Sequence, residues 1–181
     1  MNTTEQVNNI AQLRHQVDMA AESMQSVSGL AREQTKTCVY YAVMTYLLPT
    51  YPDDYLIPPL CFQGNSGTGK SRAIGYMEKI VNEPSKLDGR GKTFSDIAFA
   101  LHGVTTALIE EADFKQPRVE TQLIQMRTER RHKNQVIHRP PEQTPVPIEN
   151  FGATILERRL PFSDAATVSY THLTLPTKRI V

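Results

Sequence analysis

The stretch "LCFQGNSGTGKSRAIGYMEKI", Leu60 to Ile80, sets a short apolar run, a glycine-rich turn and an apolar-periodic segment in immediate succession. Leu60, Cys61 and Phe62 read as the end of a buried strand that begins near Leu56, in spite of Pro58 and Pro59 at its start. Ala73, Ile74, Met77, Ile80 and Val81 then recur at helical spacing until Pro84 stops the pattern. Between strand and helix lie Gly64, Asn65, Ser66, Gly67, Thr68, Gly69, Lys70 and Ser71, which fit the spacing G-x-x-x-x-G-K-[ST]. Glycines let a backbone fold close around a chain of phosphates with several N–H groups turned inward, and the N-terminus of the next helix adds partial positive charge. Lys70 can then reach the terminal phosphates, the Ser71 hydroxyl can meet Mg²⁺, and Arg72 stands beside them at the helix start. The plainer alternative is a glycine turn with a solvated lysine.

A second chemical feature is "VTTALIEEADFKQP". Val104 to Ile109 reads as a buried strand that delivers Glu110, Glu111 and, after a turn, Asp113 to one end of a sheet, where ligands bind in open α/β folds. Metal-assisted phosphate hydrolysis needs one carboxylate for the Mg²⁺ water shell and often a second to polarise the attacking water. Glu110 is assigned to the metal together with Ser71, and Glu111 to the water. Glutamate stands at the first position where aspartate is the rule. Two solvated acids at a strand end remain the alternative.

Length and composition suit one domain. The chain has 181 residues, 39% hydrophobic and 22% charged, with a net charge of +1 that gives no global reason for a nucleic-acid or membrane partner. Cys38 and Cys61 follow no metal or redox spacing and read as reduced core residues, which with the lack of a signal peptide or any apolar run of about 18 residues points to the cytoplasm. Thr4 to about Gln34 reads as helical, broken near Ser26 to Gly29, with Val7, Ile10, Leu13, Val17 and Ala20 on one face against the core. Thr37 to Leu48 reads as a second helix closed by Pro49. "SKLDGRGKTF" reads as a loop that can hide a short strand, and Ser95 as the N-cap of a helix to about His102. "RTERRHKNQVIHR" is the strongly basic run; Arg127 to Arg139 offers either a DNA or neighbouring-subunit contact or a solvated helix end. His132 and His138 lack an acid or cysteine to complete a metal set.

Together, "GNSGTGKSR", "LIEEADF" and "FGATILERRLPFSDAA" resemble the P-loop NTPases of the additional-strand, catalytic-glutamate division, with a Walker A loop and a Walker B strand. More narrowly they resemble ATPase modules of helicase-like and primase-associated proteins of phages and mobile elements. The resemblance covers about Tyr40 to Ala166. It implies a helix over Val119 to Arg131, a short strand over Gln135 to His138, and a sensor strand over Gly152 to Glu157 with Glu157 and Arg158 at its tip. The implied architecture is an α/β three-layer P-loop domain with a mostly parallel sheet: residues 1–50 as preceding helices and 51–167 as an incomplete core.

Val168 to Val181, "VSYTHLTLPTKRIV", resembles translated adapter sequence and is expected to make no stable contact with the sheet; a genuine last strand over Val168 to Leu175 is the alternative. On the first reading the chain is truncated before an arginine finger, and hydrolysis by the 181-residue chain itself is expected to be slow or undetectable beside that of a full-length parent. The expected function is Mg²⁺-dependent ATP binding and hydrolysis in a remodelling protein, with ATP preferred because no guanine-reading N-K-x-D occurs. The implied partners are a nucleotide, nucleic acid through the basic run, and further copies of the chain, with no membrane. A nucleotide or small-molecule kinase, or a fragment that binds without turnover, are the other readings.

Overall fold

The computed structural model describes residues 3–51, 57–90, 92–93, 96–97, 100, 105–112, 136–139, 142–147, 153–158 and 171–174. Two helices come first, α1 (Thr3–Ser28) and α2 (Arg32–Leu47), the second running into a 3₁₀ turn at Leu48–Thr50. Then follow β1 (Leu60–Gln63), α3 (Lys70–Ile80), β2 (Pro84–Asp88), β3 (Thr106–Glu110), β4 (Val136–Arg139), β5 (Glu142–Pro147), β6 (Ala153–Arg158) and β7 (Thr171–Thr174). Among the described residues five strands form one sheet in the order β2-β3-β6-β1-β7, and every neighbouring pair is parallel. β4 and β5 make a separate antiparallel pair. The domain is therefore α/β with a parallel sheet.

The topology decides where chemistry can gather. From β1 the chain crosses through α3 to the sheet edge at β2, returns to β3, and later places β6 between β3 and β1. The C-terminal tip of β6 thus stands between the loop after β1 and the end of β3, since Phe62 pairs with Glu157 and Ile109 with Leu156. Parallel strands covered by helices read as continuous apolar runs rather than alternation. β1 and β3 do so: Leu60, Cys61, Phe62, Ala107, Leu108 and Ile109 are all fully buried. β2, at the edge, alternates instead between exposed and half-buried positions, and its proline occupies the first residue, where no ladder N–H is lost.

Helix packing ties the N-terminal pair to this sheet. Ala73, Ile74 and Met77 of α3 join Phe62, Leu108 and Ile155 in the main core, with Met24, Cys38 and Leu48 from the first two helices. The Tyr41 hydroxyl donates to the Thr154 carbonyl at 2.9 Å and accepts from the Thr154 N–H at 3.1 Å, which pins α2 to β6. Tyr76 on α3 donates to the Ala20 carbonyl of α1. Both cysteines are buried thiols, and burial pushes the Cys38 thiol up to about 12.

Several expectations shift. The break near residues 26–29 is real: Gly29 takes φ +71, the left-handed C-terminal stop of α1. The second helix begins at Arg32 rather than Thr37, because the Gln34 side chain accepts the Ala31 N–H and satisfies the helix start. Of the expected buried face of α1, Val17 is 5% exposed but Ile10 is 53% and Leu13 51%, so among residues 8–28 the helix meets the core from Val17 onward; the Val7 side chain lies outside what is described. The strand hidden after α3 starts at Pro84 itself. Thr93 makes capping contacts, accepting the Asp96 N–H while the Asp96 carboxylate accepts the Thr93 N–H; Ser95, the expected N-cap, lies outside the described residues. The sheet contact denied to the tail is present, with Thr171 to Thr174 paired to Leu60 to Gln63. β1 has β6 on one side and β7 on the other, and the extended segment Thr171 to Thr174 satisfies the row of backbone groups that β1 would otherwise leave at the edge. The expected helix over Val119 to Arg131, and all of the basic run before Val136, lie outside the described residues. Among the described residues no helix is long and apolar enough to cross a membrane.

Candidate functional site

The loop after β1 closes on itself through the Asn65 carbonyl. That oxygen accepts from the Thr68 hydroxyl and from Lys70 Nζ, both at 2.9 Å. Gly67 and Gly69 take φ +79 and +93, conformations that side chains rarely adopt. Gly69 is doubly constrained: a Cβ there would lie 2.5 Å from the Ser28 carbonyl oxygen at the end of α1. Loop and α1 are therefore in direct backbone contact.

Where the loop meets α3, Lys70 and Ser71 face the tip of β6. Ser71 Oγ donates to both oxygens of the Glu157 carboxylate at 3.2 Å, and Lys70 Nζ lies 3.8 Å from Glu157 Oε1. The two charged side chains are 6% and 5% exposed. Burial pushes the Glu157 carboxyl above the usual range; Lys70 and the Ser71 hydroxyl pull it down, and Glu110 and Glu111 push it up. A buried carboxylate held this loosely by one ammonium is electrostatically costly, which is the ordinary mark of a site rather than of a core.

The end of β3 is laced to both neighbours. Ala112 N–H donates to the Glu157 carbonyl at 2.7 Å and Gly89 N–H to the Glu110 carbonyl at 2.8 Å. Between these bonds Glu111 is held at φ +48, a left-handed backbone that few non-glycine residues adopt. The two adjacent acids consequently part company. Glu111 lines a cleft of about 680 Å³ shared with residues 66–72, Glu157 and the α1 end at residues 25–29. Glu110 instead pairs with Lys86 of β2 at 2.9 Å, a contact that raises the lysine above its ordinary value.

Of the residues singled out from sequence, Ser66, Gly67, Thr68, Gly69, Lys70, Ser71, Arg72 and Glu111 line this cleft; Gly64 and Asn65 shape the loop without lining it. Among the described residues no group of three His, Cys, Asp or Glu side chains is arranged to hold a metal ion. Sequence reasoning placed Glu157 at a strand tip but missed its contact with Ser71 and Lys70. An acid closing the apolar run Ala153 to Leu156 was the available signal. The α1 end gave none beyond its break.

No family model matches the chain, and no curated protein matches it. Among solved structures the chain is similar to the C-terminal region of NrS-1 in its A-form apo structure, with a TM-score of 0.58 and 13% identity. The match covers 87% of this chain and 38% of that one. At that identity the shared property is the fold.

Proposed function

We propose that the cleft binds a nucleoside triphosphate, ATP in the first instance, with Mg²⁺, within a three-layer P-loop arrangement, and that the chain hydrolyses it. The observation that carries this is the convergence on one cleft of a glycine-rich loop, a lysine, a serine at a helix start and two acids. In this reading the N–H groups of residues 66–71 and the α3 N-terminus receive the phosphates, and Lys70 leaves the Asn65 carbonyl to meet them. The residues fit a divalent cation, since the exposed Ser71 Oγ and the buried Glu157 carboxylate already stand side by side at the cleft wall. Such a cation would neutralise charge on the phosphate oxygens. Glu111 is the acid that orients the attacking water, because it faces the cleft while Glu110 is engaged with Lys86. The remodelling role implied by the resemblance would draw on the same hydrolysis.

Calorimetric titration of the chain with Mg-ATP, beside a phosphate-release assay, tests the reading. Binding by the unaltered chain and its loss in Lys70→Ala are expected, and Glu111→Gln should bind yet release no phosphate. A chain that ignores Mg-ATP, or a folded Lys70→Ala with unchanged affinity, would sink it.

A further inference from the structure

Glu110 is the acid that the sequence pattern offers to a cation, yet its carboxylate holds Lys86 at 2.9 Å on the β2 side. The acid beside the cation-binding hydroxyl is Glu157, whose two oxygens each lie 3.2 Å from Ser71 Oγ. Resting on the nucleotide reading above, we propose that Glu157 is the residue that makes triphosphate binding depend on a divalent cation: partner to the cation beside Ser71, and a barrier to the phosphates when no cation is present.

The argument is one of counter-charge. Among the described residues Lys70 is the cation paired with Glu157, but its Nζ sits 2.9 Å from the Asn65 carbonyl and 3.8 Å from the carboxylate, so its primary bond is to the loop. Phosphates entering the loop draw Lys70 toward themselves. Among the described residues Glu157, 4% exposed, is then left beside the Ser71 hydroxyl with two further acids, Glu110 and Glu111, near it and Arg72 elsewhere on the cleft wall. A carboxylate facing a triphosphate without a counter-ion repels it, and the burial of the Glu157 side chain leaves little water on its own side to screen the two. A divalent cation at Ser71 turns that repulsion into attraction on both sides. The sheet makes the exchange local, since β6 lies between β1 and β3 and puts its tip under the loop.

The test is ATP binding with MgCl₂ and with EDTA, by calorimetry, in the unaltered chain, Glu157→Gln, Glu157→Asp and Glu110→Gln, with thermal melts to verify folding. The unaltered chain should bind ATP at least about tenfold more tightly with Mg²⁺, and Glu157→Gln should compress that ratio by about tenfold, chiefly by tightening metal-free binding. Glu157→Asp, which keeps the charge, and Glu110→Gln, which removes the other acid, should retain it. Equal affinity of the unaltered chain in both media overturns the inference without any variant, as does a ratio that collapses in Glu110→Gln or survives in a folded Glu157→Gln. Failure of the unaltered chain to bind ATP under either condition overturns the nucleotide reading itself. Binding of Mg-ATP with an unmoved ratio in Glu157→Gln leaves that reading standing and removes this one.

Discussion

Residues 60–80 and the first half of α1 are both legible as amphipathic or apolar-periodic sequence, and they end in opposite situations. In the first, Leu60, Phe62, Ala73, Ile74 and Met77 are all fully buried, and the glycine at 69 has no room for a side chain. In the second, Ile10 and Leu13 keep about half their surface in water. Periodicity says which face of a helix is apolar; it does not say whether anything covers that face. The strand and the helix flanking the loop cover each other, whereas α1 packs on α2 and α3 and leaves Ile10 and Leu13 uncovered.

The sharpest way to break this comparison is to truncate matched side chains. Ile74→Ala should cost about 2–5 kcal/mol, the range for emptying a packed core position. Leu13→Ala, at an exposed site with an equally good helix former, should stay within about 0.5 kcal/mol. Urea denaturation measures both, and similar costs would mean that the first half of α1 is covered in solution.

Backbone constraint gives a finer contrast. Gly69 and Gly29 share a left-handed conformation, but a Cβ at Gly69 meets the Ser28 carbonyl and one at Gly29 meets nothing within 4 Å. Gly29→Ala should therefore cost about 1 kcal/mol, the conformational part alone, and Gly69→Ala about 2–4 kcal/mol. Equal costs would show that the loop and the α1 end separate easily, and would remove α1 from the wall of the cleft.

The β1-loop-α3 unit was readable because each of its signals is local: an apolar run, a glycine spacing, a helical period. The strand that the resemblance implied over Gly152 to Glu157 stands at Ala153 to Arg158, within a residue of its expected bounds. What stayed hidden depends on strand order. Nothing in "LIEEADF" says that Glu110 will face a lysine on β2 while Glu111 turns to the cleft, because that division follows from β3 lying between β2 and β6 and from the left-handed backbone at Glu111. The Tyr41 bond to Thr154 joins residues 113 positions apart and has no sequence signature. The pairing of β7 was held open only by its alternation, against a compositional reading that pointed the other way.

The smallest expected effect lies where α1 and α2 touch through charge rather than apolar area. Asp18 Oδ1 lies 3.0 Å from Lys36 Nζ and 3.9 Å from Arg32 Nη2. The Lys36 hydrogen bond, with the nearby cations, holds the Asp18 carboxyl below its usual value, and the Asp18 bond raises Lys36. A carboxyl lowered in the folded state adds stability above its unfolded pKa and loses it as pH falls through the folded value, so this pair contributes at neutral pH and fades in acid. Exposed pairs are screened, and added salt should weaken this one further. Asp18→Asn should thus lower the melting temperature slightly at pH 7, by less in high salt, and not at all once the pH is below the folded value. A large loss at pH 7 that salt does not reduce would show that α1 relies on this contact as the loop relies on Gly69, and the contrast between the two regions would fail.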